Sequence, residues 1–365
     1  MWAKHLWQLV DPITNQPLEI QIFEQEGEHI MSGELFSATE HYPIIHGVPR
    51  MLTGDLKKDL LQKKHAFFTQ FKDQLSPALQ QERMQAIEDI KDMNAFVLHQ
   101  KKTSESFSFE WNNIYAENTF ETDNYLHFLW GYQTAKDLVG KVVLDVGCGS
   151  GRFTKICANL GAALCIGVDL SEAVDFAFDL TKDIPNIFIV QGDIYHLPFF
   201  HSIDIAQSIG VLHHLPDPQW GFTAIAKQVL KVWGAFLIRV YAKKNNARAL
   251  YLYEPVRYIT RHINKRLLLR LCHFPALLVH AINGLTVLLS WIFGKGIIKH
   301  FPFYYYINFP YNMKHNDAFD VLATPKSNYY YTENIQKRYS DAGLQDIQGK
   351  YLHEAGITFI WTYRE

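Results

Sequence analysis

The chain has 365 residues, a formal net charge of −2 at pH 7 and four cysteines. Its near-neutral charge gives no overall basic field, which disfavours a nucleic-acid partner without excluding one. The cysteines show no C-x-x-C spacing, so the sequence predicts neither a metal site nor the cysteine triad of a radical iron–sulfur enzyme. With 48% of its residues hydrophobic, the chain can bury a sizeable core, and its length suits one large domain with appendages or two domains.

Residues 1–54 are predicted to form a small β-rich unit. Leu9 to Thr14 indicates a strand followed by a turn, and His41 to Pro49 indicates short strands broken by turns. Residues 55–135 are mostly polar, with four apolar side chains at near-helical spacing, which predicts one or two connecting helices. Those four are Leu60, Phe67, Phe71 and Leu75.

An aromatic cluster ends this linker. It either packs in the core or covers a ligand, since both uses favour large rings. Its members are Phe107, Phe109, Trp111, Tyr115 and Phe120.

Residues 136–245 alternate apolar strands with helices, which predicts an α/β fold with a buried, mostly parallel Rossmann-like sheet. The predicted strands cover residues 142–145, 163–169, 187–190, 203–208 and 235–240. Residues 326–365 are expected to complete this sheet with a helix and an antiparallel hairpin at its edge. The hairpin is predicted from Leu344 to Leu352 and from Ile357 to Tyr363.

Residues 246–325 interrupt this order and are predicted to be a largely helical insertion. From Lys243 to Arg270 there are eight lysines or arginines and one acid, and a long apolar run follows. Residues 262–300 therefore have three interpretations: a buried lid over a substrate pocket, a membrane-surface element, or a transmembrane helix. His280, Asn283 and the flanking parts of one soluble fold argue against a transmembrane helix.

The strongest motif runs from Asp145 to Arg152, directly after the first predicted strand of the sheet. Its glycines have the spacing G-x-G-x-G, whereas the dinucleotide fingerprint would require glycine where this chain has Arg152. The motif resembles the first motif of class I S-adenosylmethionine-dependent methyltransferases, of the methyltransferase type 11-like family. The resemblance covers residues 105–245 and 326–365.

This resemblance implies that S-adenosyl-L-methionine is the cofactor and assigns it a set of residues. It implies that Asp145 orients the methionyl amine, that Asp169 accepts the ribose hydroxyls, and that Asp193 accepts the adenine amino group beside Ile194. The Ser208 to Leu215 run matches the family's fourth-strand motif. The full cofactor set is Asp145, Gly147, Cys148, Gly149, Gly151, Asp169, Leu170, Asp193, Ile194, Ser208 and Trp111.

Residues 9–18 and 42–52 resemble the small zinc-ribbon-like domain that accompanies some methyltransferases. That family often has a cysteine where this chain has Asp11, and no other cysteine is near. We therefore expect a ribbon without its cysteines and without metal.

His213 and His214 are the candidate bases, because they follow the fourth strand at the ligand-binding edge. The alternative is that this pair shapes the loop through local hydrogen bonds. Trp111 either covers the sulfonium with its ring face or packs in the core.

The sequence thus predicts a methyltransferase that acts by direct transfer on a small-molecule or lipid-like acceptor. Two alternatives stay open, an RNA or protein methyltransferase and a non-catalytic cofactor-binding interaction protein. We expect a cytoplasmic protein with peripheral membrane contact through 262–300 as one outcome. The acceptor atom and the oligomeric state are not determined by the sequence.

Overall fold

The computed structural model describes residues 1–89, 93–114, 135–244, 246, 249–324, 327–352 and 356–363. Their strands are β1 (Glu19–Glu26), β2 (His29–Phe36), β3 (His41–Ile45), β4 (Val48–Met51), β5 (Val142–Val146), β6 (Leu164–Asp169), β7 (Ile187–Gly192), β8 (Ile203–Ile209), β9 (Leu230–Tyr241), β10 (Leu344–Leu352) and β11 (Gly356–Tyr363).

The α-helices alternate with the parallel strands and also make up the linker and the insertion. They are α1 (Gly54–Lys63), α2 (His65–Gln70), α3 (Pro77–Glu88), α4 (Ala95–Ile114), α5 (Ala135–Leu138), α6 (Arg152–Asn159), α7 (Ala173–Thr181), α8 (Pro218–Ala224), α9 (Glu254–Thr260), α10 (Lys265–Leu271), α11 (His273–Phe293), α12 (Tyr311–Ala323) and α13 (Thr332–Asp341).

All eleven strands belong to one sheet, in the order β1-β2-β3-β4-β7-β6-β5-β8-β9-β11-β10. Strands β4 to β9 of this order are parallel where they meet, and β10 and β11 pair antiparallel at one edge. The predicted α/β class, the parallel strands and the edge hairpin are therefore confirmed. The chain winds from β5 towards β7 and then from β8 towards β10, so a crevice forms at the carboxyl ends of β5 and β8.

Side chains of the central strands alternate between two hydrophobic layers. Leu144 and Ile166 face one layer, and their neighbours Val143 and Cys165 face the other. Both faces of the sheet are thus covered, as expected for parallel strands that are apolar along their whole length. The four cysteines are buried thiols, with Cys157 and Cys165 in the second layer.

The N-terminal segment differs from its prediction. Residues Ala3–Gln8 form a 3-10 helix, and residues 9–14 form no strand beyond an isolated bridge between Val10 and Pro17. The strands β1 and β2 were not predicted; β1 is largely polar and exposed at the sheet edge, so its apolar alternation is weak. The parallel pairing of β4 with β7 makes this meander continuous with the central sheet.

The linker contains four helices, α1 to α4, instead of the expected one or two. The chain turns after Phe71, and the next helix, α3, begins after Ser76. Ser76 is its N-cap, and the Ser76 hydroxyl accepts a hydrogen bond from the Leu79 amide at 3.1 Å. Pro77 follows at the first helical position, where a missing N–H has no consequence. Of the aromatic cluster, Tyr115 and Phe120 lie outside the described residues.

The insertion is largely helical, as predicted. Helices α9 to α12 lie between β9 and α13, and α11 packs against α12. The stretch Lys265–Phe293 has 29 residues and contains an 18-residue window with a mean hydropathy of 1.8. It is therefore long and apolar enough to cross a membrane, and 22% of that window is buried.

Candidate functional site

The loops that follow β5 and β8 meet at the reversal point of the sheet. The Ser208 hydroxyl donates to the Val146 carbonyl at 3.0 Å and ties the two strand ends together. A Cβ placed on Gly147 would lie 2.3 Å from the Val211 side chain, so only glycine fits there. The sequence therefore brings two backbone loops into contact where an open α/β sheet binds its ligand.

The glycine motif forms a tight turn that leads into α6. Gly147, Gly149 and Gly151 all have positive φ angles, of 80°, 53° and 78°. These backbone conformations are readily accessible only to glycine. Gly151 is the residue before α6, so the turn delivers the unpaired N–H groups of a helix start to the crevice.

Asp145 lies buried beneath this turn. One of its carboxylate oxygens accepts a hydrogen bond from the Thr154 hydroxyl at 2.7 Å, which ties β5 to the first turn of α6. Burial raises the pKa of Asp145 to about 6, against an ordinary value of 3.8. Hydrogen bonds from Thr154 and Gln207 oppose this shift but do not cancel it, so a cationic ligand group such as an amine would stabilise the buried carboxylate further.

Asp169 ends β6 beside the same turn and is half-buried. Its two oxygens accept hydrogen bonds from the Gly149 amide at 2.9 Å and the Ser171 amide at 2.8 Å. Withdrawal from water raises the pKa of Asp169, and the hydrogen bonds to Ser171 and Gly149 oppose that shift. The carboxylate therefore stands at the edge of the glycine turn, where a diol could bind.

Residues beside these two acids complete the floor of the crevice. Cys148 is buried within the turn. The Leu170 carbonyl accepts a hydrogen bond from the Gln191 side chain at 2.9 Å, which fixes the end of β6 against β7.

Asp193 follows β7 and is buried. It accepts hydrogen bonds from the Gln100 side chain at 2.9 Å and from the Tyr195 amide at 3.2 Å, and Ile194 is buried beside it. Gln100 lies on α4 and was not among the predicted site residues. No local signal marked it, because its partner is 93 positions away in the sequence.

Trp111 lies on the glycine turn. A Cβ on Gly149 would be 2.6 Å from the Trp111 indole nitrogen, and the Arg152 guanidinium stands 4.6 Å from the Trp111 ring centre. The linker helix α4 thus covers the glycine turn directly. The cation that lies over the Trp111 ring is the Arg152 guanidinium. A contact between Trp111 and the sulfonium of the cofactor stays a prediction.

His213 and His214 lie in the loop after β8 and are both buried. The His213 carbonyl accepts hydrogen bonds from the Asn328 amide at 2.8 Å and the Asn328 side chain at 3.0 Å, and Ser327 stands 3.3 Å from His214 Nδ1. The pair therefore holds the segment before α13 against the site. Burial lowers the pKa of His213 well below its ordinary value, and its ring forms no hydrogen bond within the described part of the chain.

A cluster of carboxylates stands between α4 and α12, and it was not predicted from the sequence. Burial raises the pKa of Glu110 well above its ordinary value, and the charges of Asp320 and Asp317 add to the shift. Burial, with the charge of Asp320, raises the pKa of Asp317 to about 6. The sequence did contain a signal for this cluster. Asp317 and Asp320 are spaced i and i+3, and they follow some sixty residues of the insertion without an acid.

The positive and aromatic groups around this cluster belong to the strands and turns of the site. Arg152 opposes the rise in the pKa of Glu110 and of Asp317. After burial, the charge of Asp320 contributes most to the raised pKa of Tyr241 at the end of β9. The cluster thus lies on the crevice side of α12. Among the described residues, no group of three or more histidines, cysteines, aspartates or glutamates is arranged to hold a metal ion.

Residues 144–238 match the family model described as a methyltransferase domain. The match begins one residue before Asp145 and ends in β9, so it contains the glycine turn and the three strand-end acids. This segment is a methyltransferase domain. The prediction of a class I methyltransferase fold with S-adenosylmethionine as its cofactor is confirmed at the level of this domain.

Curated relatives resemble the methyltransferase domain over part of their length. A tRNA U34 carboxymethyltransferase of Ruthia magnifica subsp. Calyptogena magnifica is 32% identical over 107 residues, 28% of this chain and 33% of that protein. A ubiquinone biosynthesis O-methyltransferase of Neisseria meningitidis serogroup A is 29% identical over 134 residues, 35% of this chain and 56% of that protein. The chain thus spans less than two thirds of either relative.

Among solved structures, the magnesium protoporphyrin IX methyltransferase of Synechocystis with bound S-adenosylmethionine is similar. The TM-score is 0.42 at 13% identity, over 74% of this chain and the whole of that one. The zinc-ribbon resemblance of the N-terminal segment stays a prediction.

Proposed function

We propose that this chain is an S-adenosylmethionine-dependent methyltransferase that acts on a small-molecule or lipid-like acceptor. The observation that carries the proposal is the set of three acids at the ends of three neighbouring parallel strands around one glycine turn. Asp145 lies near the end of β5, Asp169 is the last residue of β6, and Asp193 directly follows β7. Their order across three adjacent strands matches the order of the amine, the ribose and the adenine in one elongated cofactor.

When bound, the cofactor supplies an activated methyl group that needs no further chemical activation. The residues of this chain then have three tasks: to orient the cofactor, to align the acceptor atom, and to exclude water. Alignment alone is worth roughly 7–11 kcal/mol in favourable systems. Trp111, against Gly149, and the helices of the insertion are placed to exclude water.

The acceptor side is lined with aromatic rings near the end of β9. The Tyr241 ring stacks at 5.8 Å on Tyr329 and lies 4.0 Å from His213, and Phe107 lies 5.1 Å from His214. Such a surface favours an acceptor with an extensive apolar or planar part. This is the support for a lipid-like or aromatic small molecule as substrate.

If the acceptor atom carries a proton, Asp317 is better suited to take it than His213. A base is most effective when its pKa lies near the working pH, and the pKa of Asp317 is about 6. Burial leaves His213 a much weaker base. We therefore expect Asp317→Asn to remove the acid limb of the pH–rate profile near pH 6, and His213→Asn to leave that limb in place. A limb that persists in Asp317→Asn and disappears in His213→Asn would restore the histidine assignment.

The cofactor assignment is tested by titration calorimetry with S-adenosylhomocysteine. Removal of the Asp169 carboxylate takes away the acceptor of the ribose hydroxyls, so Asp169→Ala should weaken binding by about tenfold or more. The matched control is Asp179→Ala, which removes an exposed carboxylate from α7 in the same domain. It should leave the affinity unchanged.

Two results would contradict the proposal. One is binding of NADH with no response to S-adenosylhomocysteine. The other is equal affinity of the parent chain and Asp169→Ala. Methyl transfer from labelled cofactor to a lipid extract, compared with transfer to bulk tRNA, then separates the acceptor classes.

An RNA acceptor is the second candidate, because the first relative above is a tRNA-modifying enzyme. The basic stretch from Lys243 to Arg270 also fits a phosphate backbone. Label in tRNA and none in lipid would favour it. We propose a cytoplasmic protein that contacts the membrane at its surface.

A further inference from the structure

Helix α11 has its polarity reversed relative to a helix on the surface of a soluble domain. Its buried positions carry small or polar side chains, namely Ala276, Asn283, Thr286 and Ser290. Its exposed positions carry the large apolar ones, namely Phe274, Leu277, Leu278, Leu285, Leu288, Trp291, Ile292 and Phe293. A helix that folds only against its own protein has the opposite distribution.

The inward face fixes this orientation. The Asn283 side chain donates to the Phe303 carbonyl at 2.9 Å and so ties the helix to a later part of the insertion. At the start of the helix, Cys272 packs with Leu268 and Phe319 in a small core shared with α12. Rotation to hide the apolar face would break these contacts, so the exposure is built into the fold.

The apolar face is large and follows the helical repeat. Phe274, Leu278, Leu285, Leu288 and Ile292 recur at intervals of three, four or seven residues, so they form one continuous stripe. Exposed apolar stripes of this length on a folded protein mark a surface that another apolar phase covers.

The charges that flank the stripe along the sequence have a single sign. Between residues 261 and 300 the sequence has six lysines or arginines and no acid. Arg266 and Arg270 are exposed on α10, and Lys295 and Lys299 are exposed just beyond α11. An apolar stripe flanked only by cations matches the acyl boundary and anionic headgroups of a bilayer.

We propose that α10 and α11 dock on the surface of an anionic bilayer, with the stripe inserted at the boundary between headgroups and acyl chains. A spanning position is excluded by the packing of α11 on α12. Helix α12 carries Lys314, Asp317 and Asp320, and a spanning α11 would draw these groups into hydrocarbon. The helix therefore lies along the membrane.

Docking would place the site beside the bilayer. Helix α12 packs on α11 and on α4, whose Trp111 lies on the cofactor turn. A membrane-borne acceptor would thus be one helix away from the carboxylate cluster. This consequence rests on the proposed function, whereas the docking itself does not.

The test compares two double variants of the full chain by co-sedimentation with phosphatidylcholine vesicles, with and without phosphatidylglycerol. Leu285→Glu/Leu288→Glu places two acids on the stripe at positions that are 53% and 60% exposed. The matched control, Met84→Glu/Ile87→Glu, has the same spacing on α3 at positions that are 64% and 50% exposed.

We expect the parent chain and the control to bind the anionic vesicles, with weaker binding as salt rises. The stripe variant should lose about tenfold or more in vesicle affinity, because the inserted side chains become charged. Titration with S-adenosylhomocysteine should give one affinity for all three proteins, which shows that the stripe variant is folded. If S-adenosylhomocysteine fails to bind all three proteins while their vesicle binding differs as expected, the cofactor assignment is contradicted and the docking result stands.

Three outcomes would overturn the docking. The first is vesicle binding that is equal in the stripe variant and the parent, or absent in both. The second is a parent dimer that the stripe variant converts to monomer without any vesicle binding, which would assign the stripe to a second copy. The third is retention in membranes after alkaline carbonate extraction, which would show a spanning helix.

Discussion

Two buried aspartates in this chain have opposite electrostatic consequences. Asp145 has one hydroxyl partner at 2.7 Å, and burial raises its pKa to about 6. Burial also raises the pKa of Asp11, but hydrogen bonds from Ser37, Ile13 and Thr14 outweigh it and hold that pKa below its ordinary value. The first carboxylate destabilises the fold without its ligand, and the second stabilises it.

We predict that Asp145→Asn stabilises the chain at pH 8. Because the pKa of Asp145 is raised from 3.8 to about 6, the native state holds this proton more tightly than the unfolded state. The free energy of unfolding therefore falls as pH rises between about 4 and 6, by up to about 3 kcal/mol. The neutral amide avoids that penalty.

Urea unfolding at pH 4 and pH 8 measures this effect. The variant should gain stability over the parent at pH 8 and little at pH 4, while its affinity for S-adenosylhomocysteine falls. A variant that is less stable than the parent at pH 8 would show that the Asp145 charge supports the fold.

At the scale of elements, Asp11 organises the N-terminal turn. Its two oxygens accept hydrogen bonds from the Ile13 amide at 2.8 Å, the Ser37 hydroxyl at 2.6 Å and the Tyr42 hydroxyl at 3.2 Å. These contacts join the turn to β3 and to the connection before it. One carboxylate thus holds this turn against the strands of the N-terminal meander.

We predict that Asp11→Ala lowers the free energy of unfolding by about 3 kcal/mol, because it leaves several buried donors without an acceptor. Since the pKa of Asp11 is lowered, this stabilisation is present above about pH 4 and is lost as pH falls further. Elemental analysis of the parent should find no stoichiometric zinc. One zinc per chain, or an unchanged unfolding midpoint in the variant, would contradict this account.

At the scale of the whole molecule, one sheet and one core join the N-terminal meander to the methyltransferase domain. Arg50 of β4 is fully buried, donates to the Gln191 side chain at 3.1 Å, and forms an ion pair with Asp175 of α7. Residues from both parts, such as Tyr42 and Phe188, share one hydrophobic layer. The two parts should therefore unfold together.

We predict a single transition in scanning calorimetry, and we expect S-adenosylhomocysteine to shift all of it. Ligand at one hundred times its dissociation constant adds about 2.7 kcal/mol of stability. Arg50→Ala should cost about 3–5 kcal/mol, because a buried ion pair loses one partner. Arg83→Ala, which removes a half-exposed arginine from α3, should cost less than about 1 kcal/mol. Two separate transitions, the first of them insensitive to ligand, would show independent domains.

Local chemistry was enough to predict the cofactor half of the site. The run from Asp145 to Gly151 encodes its own turn, because each glycine takes a backbone conformation that other residues avoid. The strands that precede or carry Asp193 and Asp169 are continuous apolar runs, which are typical of a buried parallel sheet. These features depend on near neighbours in the sequence, so the sequence by itself determined them.

The tertiary structure alone decided which distant residues meet. Gln100 reaches Asp193, and Glu110 faces Asp317 and Asp320, across separations of 93 to about 210 residues that no local pattern encodes. The direction of the apolar side of α11 was also open in the sequence, because an apolar helix can be turned inward or outward. The packing of Asn283 and Cys272 against the rest of the insertion turns that side outward.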